Sequence, residues 1–248
     1  MSHTKPKTEH WLSENIKTLG SALALAMLIR IVLFEAFEIE GPSMEPSLLN
    51  GDRVVVAKYK YGLFLPFTDH ALFNWSGPKA GDVVILKSPM ENIDIVKRVI
   101  GVAGDTIEVD QDAIIRNGKK ISHRSKGECL DDACSTYGGS SDLFECTLWE
   151  EQLGEHRYAV SYATDAVDNM VSTRKTAIPE GHVFVMGDHR DHSNDSRYFG
   201  LVPVNRVKGK ALSIYWSSQN ADDYLNMGKQ PPSWWERIRG CRVGSRIR

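Results

Sequence analysis

Cysteine, net charge and long apolar runs are all scarce in this 248-residue chain. Four cysteines are too few to hold a loop-rich scaffold together in place of a core. Thirty Lys and Arg against 32 Asp and Glu leave a formal charge of −2, so the basic excess of a dedicated nucleic-acid binder is missing, and no nucleic-acid partner is expected. The chain also lacks internal repeats, which excludes a solenoid. Helical patterns of useful length between its strand-like runs are missing too, which argues against a βαβ sheet. What remains is 42% hydrophobic residues with 6 Trp, 8 Tyr and 8 Phe, enough to bury a core and too apolar for general disorder.

The one long apolar run is Thr18 to Phe37, interrupted by Arg30 and Glu35. Twenty helical residues reach across a hydrocarbon core roughly 30 Å thick, so residues 18–37 are expected to form a transmembrane anchor. Its charge-free part, Thr18 to Ile29, is also short enough for a cleaved leader or a buried helix. The apolar run resumes at Ile31 where a leader would turn polar, which favours the anchor. Arg30, toward the outer end, would snorkel to the headgroups. Lys5, Lys7 and Lys17 precede the run and Arg53 is the first basic residue after it. That asymmetry places residues 1–17 inside and the chain from about residue 39 outside.

Beyond residue 38 the pattern is β-branched runs bounded by turn residues. Arg53–Ala57, Asp82–Leu86, Ile93–Val102, Thr106–Val109, His182–Met186 and Ala211–Trp216 read as strands. Asn50-Gly51-Asp52, Ala80-Gly81-Asp82, Ala103-Gly104-Asp105 and Asn117-Gly118 read as turns. The expected fold is mainly β: an N-terminal transmembrane helix, then an all-β domain with its core at 38–110 and 180–217. A smaller inserted β lobe is placed at 111–179, and a basic aromatic tail at 218–248. The lobe holds Cys129, Cys134 and Cys146. A Cys129–Cys134 bridge is plausible in an oxidising compartment; zinc on these cysteines with His123 and His156 is the rival, at a spacing that matches no standard finger. Cys241 has no evident partner. The tail, with Trp234, Trp235 and five arginines, could lie on anionic headgroups or stay frayed in solvent.

Three segments carry chemistry. In Gly41-Pro42-Ser43-Met44-Glu45-Pro46, two prolines and a glycine hold Ser43 on a rigid turn. In Ile93 to Gly101, strand alternation puts Ile93, Ile95, Lys97 and Val99 on one face. A lysine on an apolar face either snorkels from the sheet edge or loses its proton and becomes a general base. The third segment, Gly187-Asp188-His189-Arg190-Asp191-His192-Ser193-Asn194-Asp195-Ser196-Arg197, is dense in charge and hydroxyls. It lacks the Gly and Glu positions of a calcium loop, so no metal is expected there. Its alternating Asp and Arg suit mutual ion pairs that stiffen a loop.

Taken together and in this order, the apolar segment followed by Ser43-Met44, the Ile95-Val96-Lys97-Arg98 strand, and Gly187 to Arg197 resemble bacterial type I signal peptidases. The likeness spans Ile29 to Pro203. It implies a membrane-bound serine endopeptidase that removes signal peptides from exported preproteins, with a Ser-Lys dyad and no cofactor. By position Ser43 would be the nucleophile and Lys97 its base. Ser193 would hydrogen-bond and orient the lysine, and Asp188, Arg190, Asp195 and Arg197 would support the loop. Phe37, Ile39, Met44, Leu48, Ile95 and Val96 would line the substrate site, which accepts small residues, typically Ala, at −1 and −3. Many relatives carry a serine where this chain has Gly41, so the oxyanion site would rest on backbone N–H groups, chiefly that of Ser43.

The resemblance also implies preprotein substrates, a bilayer and a secretion translocon as partners. It places the chain in a bacterial cytoplasmic membrane, single-pass, with the catalytic domain on the outer face. The rival readings are a specialised conjugation- or pilus-type peptidase and an inactive signal-peptide-binding scaffold.

Overall fold

The computed structural model describes residues 7–64, 71–110, 113–129, 146–163, 171–226 and 228–247. Its main body is a seven-stranded antiparallel sheet. Across the sheet the strands run Phe34–Glu38, Asp52–Ala57, Val207–Ser217, Val83–Lys87, Asp94–Val102, His182–Met186 and Val202–Pro203. Valine and isoleucine dominate these strands because β-branched side chains pack well on a pleated surface. The strand Asp94–Val102 lies well inside the sheet, pairing Lys97 with Val84 on one side and Arg98 with Met186 on the other. Ile39, Met44, Leu48, Val54, Val83, Ile85 and Val96 pack in one apolar cluster. Val84, Leu86, Val99, Val183 and Val185 pack in a second, with Ile95 against it. Val96 and Ile95 thus belong to different clusters, as strand alternation requires.

Three smaller sheets accompany this body among the described residues, the smallest pairing Gly62–Phe64 with Ala71–Asn74. Another is the antiparallel trio Ser122–Glu128, Cys146–Leu153 and His156–Ala163. The last joins Thr173–Ala177, Thr106–Asp110, Ala113–Arg116 and Lys119–Lys120, and so takes strands from both sides of residue 110. A third cluster, built on Ile100, Ile107, Val160, Phe184 and Met186, packs main-body residues with residues of these last two sheets.

The N-terminal helix covers Lys7–Leu33, and among the described residues no helix is long and apolar enough to cross a membrane. The expected anchor at 18–37 is wrong at its outer end, because Phe34–Glu38 is an edge strand paired with Asp52–Ala57. Its charges explain this: Glu35 meets Lys58 at 2.8 Å and Glu38 meets Arg53 at 3.1 Å, partners that a helix running on into lipid would lack. The expected Cys129–Cys134 bridge is also corrected. Cys129 is bonded to Cys146, because the pairing of their strands brings the Cys129 N–H to 2.8 Å from the Cys146 carbonyl. Cys134 lies outside the described residues, and Cys241 is itself disulfide-bonded. His123 and His156 do not converge on a zinc site, since His123 meets the Trp149 ring edge to face and His156 packs against Gly81.

The tail is docked, not frayed. Gly244 and Ile247 donate to the carbonyls of Ile214 and Leu212 at 2.8 and 2.9 Å. Arg242 reaches Asp52 at 2.6 Å and the Ser47 carbonyl at 3.0 Å. Asp52 is fully buried and also accepts from the Leu49 N–H and the Ser217 hydroxyl. The far end of the chain therefore clamps the loop that carries Ser43.

Candidate active site

The loop between Phe34–Glu38 and Asp52–Ala57 delivers Ser43 to the sheet. Gly41 there has φ +81°, a left-handed conformation in which any side chain would be strained, so glycine suits this turn better than serine. The neighbouring Met44 and Leu48 point into the core and fix the loop from below.

Lys97 is 3% exposed, and its Nζ lies 2.7 Å from Ser43 Oγ in a hydrogen bond. Burial pulls its amine from 10.5 down to about 8; the charges of Asp195 and Asp188 pull it upward but less strongly, while Arg197 lowers it further. The sheet-edge snorkelling alternative is thereby excluded. One part of the sequence reading fails: Ile93 precedes the strand and is 52% exposed, so the apolar face begins at Ile95.

Gly187 brings the third segment against the serine. A methyl group at this glycine would sit 2.3 Å from Ser193 Oγ and 2.4 Å from the Ser43 carbonyl oxygen, so only glycine lets the two chains approach. The Gly187 N–H donates to Asp195 at 2.9 Å, and Asp195 takes Arg197 in a two-pronged pair at 2.8 and 2.7 Å. The His189 N–H donates to the Ser43 carbonyl at 3.2 Å. Ser193 is buried, and its Oγ has no hydrogen-bond partner among the described residues. The amine's hydrogen bond goes to Ser43.

Two further buried pairs brace the segment. Arg98 grips Asp188 with two nitrogens at 2.8 and 2.7 Å and lies over the Tyr158 ring at 3.9 Å. Arg190 grips Glu151 in the same fashion, and the Tyr158 hydroxyl donates to Glu151 at 2.9 Å. Burial works against both guanidinium charges, but the adjoining carboxylates outweigh it and raise both pKa values. Sequence reasoning missed Arg98 and Glu151. For Arg98 the signal was available, since it directly follows a buried lysine on an apolar strand. Glu151 offered none, because its partner arrives from the distant loop that follows His182–Met186. Of the six residues expected to line the substrate site, Ile39, Met44, Leu48 and Val96 are buried in the core, while Phe37 and Ile95 are partly exposed.

A serine hydroxyl held on a desolvated amine is the arrangement of a peptidase nucleophile, and comparison with known proteins decides whose. The family model described as signal peptidase, peptidase S26, matches residues 12–216. This chain belongs to that family. Signal peptidase I of Pseudomonas aeruginosa is 32% identical over 225 residues, covering 86% of this chain and 75% of that protein. That of Haemophilus influenzae is 31% identical, covering 83% and 70%. That of Rickettsia typhi is 29% identical and covers 98% and 97%. The S26 peptidase described here is thus a peptide-bond hydrolase whose serine and lysine both lie inside the matched residues.

Proposed function

We propose that this S26 peptidase removes signal peptides from exported preproteins by a Ser43–Lys97 acyl-enzyme mechanism. The observation that carries this reading is the 2.7 Å contact between Ser43 Oγ and a buried amine whose pKa is near 8. A neutral Lys97 accepts the Ser43 proton as Oγ attacks the scissile carbonyl carbon. The tetrahedral oxyanion leans on backbone N–H groups, chiefly that of Ser43, since Gly41 offers no hydroxyl. Lys97 then returns the proton to the leaving amine, and the same amine activates the water that releases the acyl group. Ser193, placed across Gly187 and with no hydrogen-bond partner for its hydroxyl among the described residues, is positioned to accept from the lysine once that amine gains its proton.

Phe37, packed on the cluster of Ile39, Met44, Leu48 and Val96, and Ile95, on the Lys97 side of its strand, are the accessible apolar residues for small side chains at −1 and −3. Asp188, Arg190, Asp195 and Arg197 hold the loop. The Lys7–Leu33 helix, which exposes Leu19, Leu23, Leu25 and Met27, holds the domain against the outer face of the bacterial cytoplasmic membrane, beside the translocon that delivers its substrates. Trp234 and Trp235, both exposed, suit the headgroup region.

The test is cleavage of a preprotein bearing an Ala-x-Ala site, in detergent, by the full chain and by Ser43→Ala. Cleavage at that site by the wild type alone is the expected result. Equal cleavage by both would remove Ser43 from the chemistry, and cleavage by neither would point to a specialised or inactive relative.

A further inference from the structure

One cluster of ligand-type side chains has no part in the Ser43–Lys97 chemistry. His189, Asp191 and His192 offer one donor atom each, all within 4.8 Å of one another. His189 Nε2 is 3.5 Å from Asp191 Oδ1, and His192 Nδ1 is 3.8 Å from Asp191 Oδ2. The two imidazoles lie 4.7 Å apart, tilted by 35°. Ligands bound about 2.0–2.2 Å from a tetrahedral ion sit about 3.3–3.6 Å from each other, so the widest pair of donors has up to about 1.2 Å to close, a movement that rotation of the part-exposed His192 ring supplies.

The surroundings hold these donors in place. Asp191 Oδ2 accepts the Ala163 N–H at 2.8 Å, which fixes the carboxylate. Its other oxygen, Oδ1, is buried beside His189 and has no hydrogen-bond partner among the described residues. The buried His189 ring is held against the Pro42 backbone, with Nε2 turned toward Asp191 Oδ1. His192 is partly exposed and gives an ion its way in. Two imidazoles and one carboxylate suit zinc-like ions; calcium and magnesium prefer oxygen donors throughout.

We propose that His189, Asp191 and His192 form a site for one divalent transition ion of the zinc class, with water in the fourth position. The ion would act as a brace and take no part in peptide hydrolysis. It would tie the third segment together at the residue whose backbone N–H holds the Ser43 carbonyl. The sequence reading expected no metal here because it compared this stretch with calcium loops, whereas the fold gathers the ligands at His-x-Asp-His spacing.

The test is titration calorimetry of the full, metal-stripped chain in detergent with zinc chloride, paired with the visible absorption of the cobalt-loaded protein. One equivalent of zinc should bind, cobalt should give tetrahedral-type bands, and Tm should rise by several degrees with zinc and stay unchanged with magnesium. His192→Ala, at the surface, and Asp191→Asn, which keeps the acceptor for Ala163, should each weaken binding by at least about 10-fold. No zinc binding by the wild type, or equal binding by both variants, would overturn the proposal.

Discussion

Lys97 and Arg98 are neighbours on one strand, both sealed from solvent, and they reach opposite ends. Alternation sends them to opposite faces of the sheet. Arg98 meets a carboxylate that matches its fork, two nitrogens on the two oxygens of Asp188, and remains a cation. Lys97 meets a hydroxyl, and the carboxylates of Asp195 and Asp188 reach it only through space. Burial then outweighs attraction, and the amine gives up its proton near pH 8. Burial is common to both residues, so the partner determines whether a buried cation becomes scaffold or reagent.

Removing the reagent should have the largest effect. Lys97→Arg installs a group that stays protonated at any working pH, and kcat/KM for an Ala-x-Ala preprotein should fall about 10²–10⁴-fold. A rate within tenfold of wild type would take Lys97 out of the chemistry. Breaking the scaffold side should act on stability instead. Arg98→Met leaves the Asp188 carboxylate buried without its partner and should cost about 3–5 kcal/mol, read from denaturation midpoints in detergent. A loss under about 1 kcal/mol, the range of exposed pairs, would mean that water reaches Asp188 and that the contrast between the two residues is false.

Much of this contrast was legible in the residues. Val83–Lys87, Asp94–Val102 and His182–Met186 lie within one residue of the runs read as strands, because Val and Ile between Gly-Asp turns leave few other options. Ser43 and Lys97 were found because their flanking residues are distinctive. What escaped depends on contacts between distant parts of the chain. Asp52 reads as a turn residue, yet it is a buried hub gripped by Arg242, 190 positions away. Glu151 waits on Arg190 in the same way. The helix-to-strand change at Phe34 was hidden because Phe34, Ala36 and Phe37 continue the apolar run, and only pairing with Asp52–Ala57 separates strand from helix. The bond between Cys129 and Cys146 needed strand register, which cysteine spacing does not give.

The neutral amine has a second consequence. Its folded pKa lies below the unfolded value of 10.5, so the folded chain binds fewer protons between the two values. This group's penalty on the fold is therefore full below about pH 8 and is relieved as pH rises toward 10.5. The titration of Lys97 itself tests the account most directly. Lysines labelled with carbon-13 at Cε, in the full chain in detergent, can be followed by NMR from neutral to strongly alkaline pH, with Lys97→Arg supplying the assignment. The account predicts one lysine resonance with a midpoint near 8 that vanishes in the variant. A Lys97 midpoint at the ordinary 10.5 would contradict it.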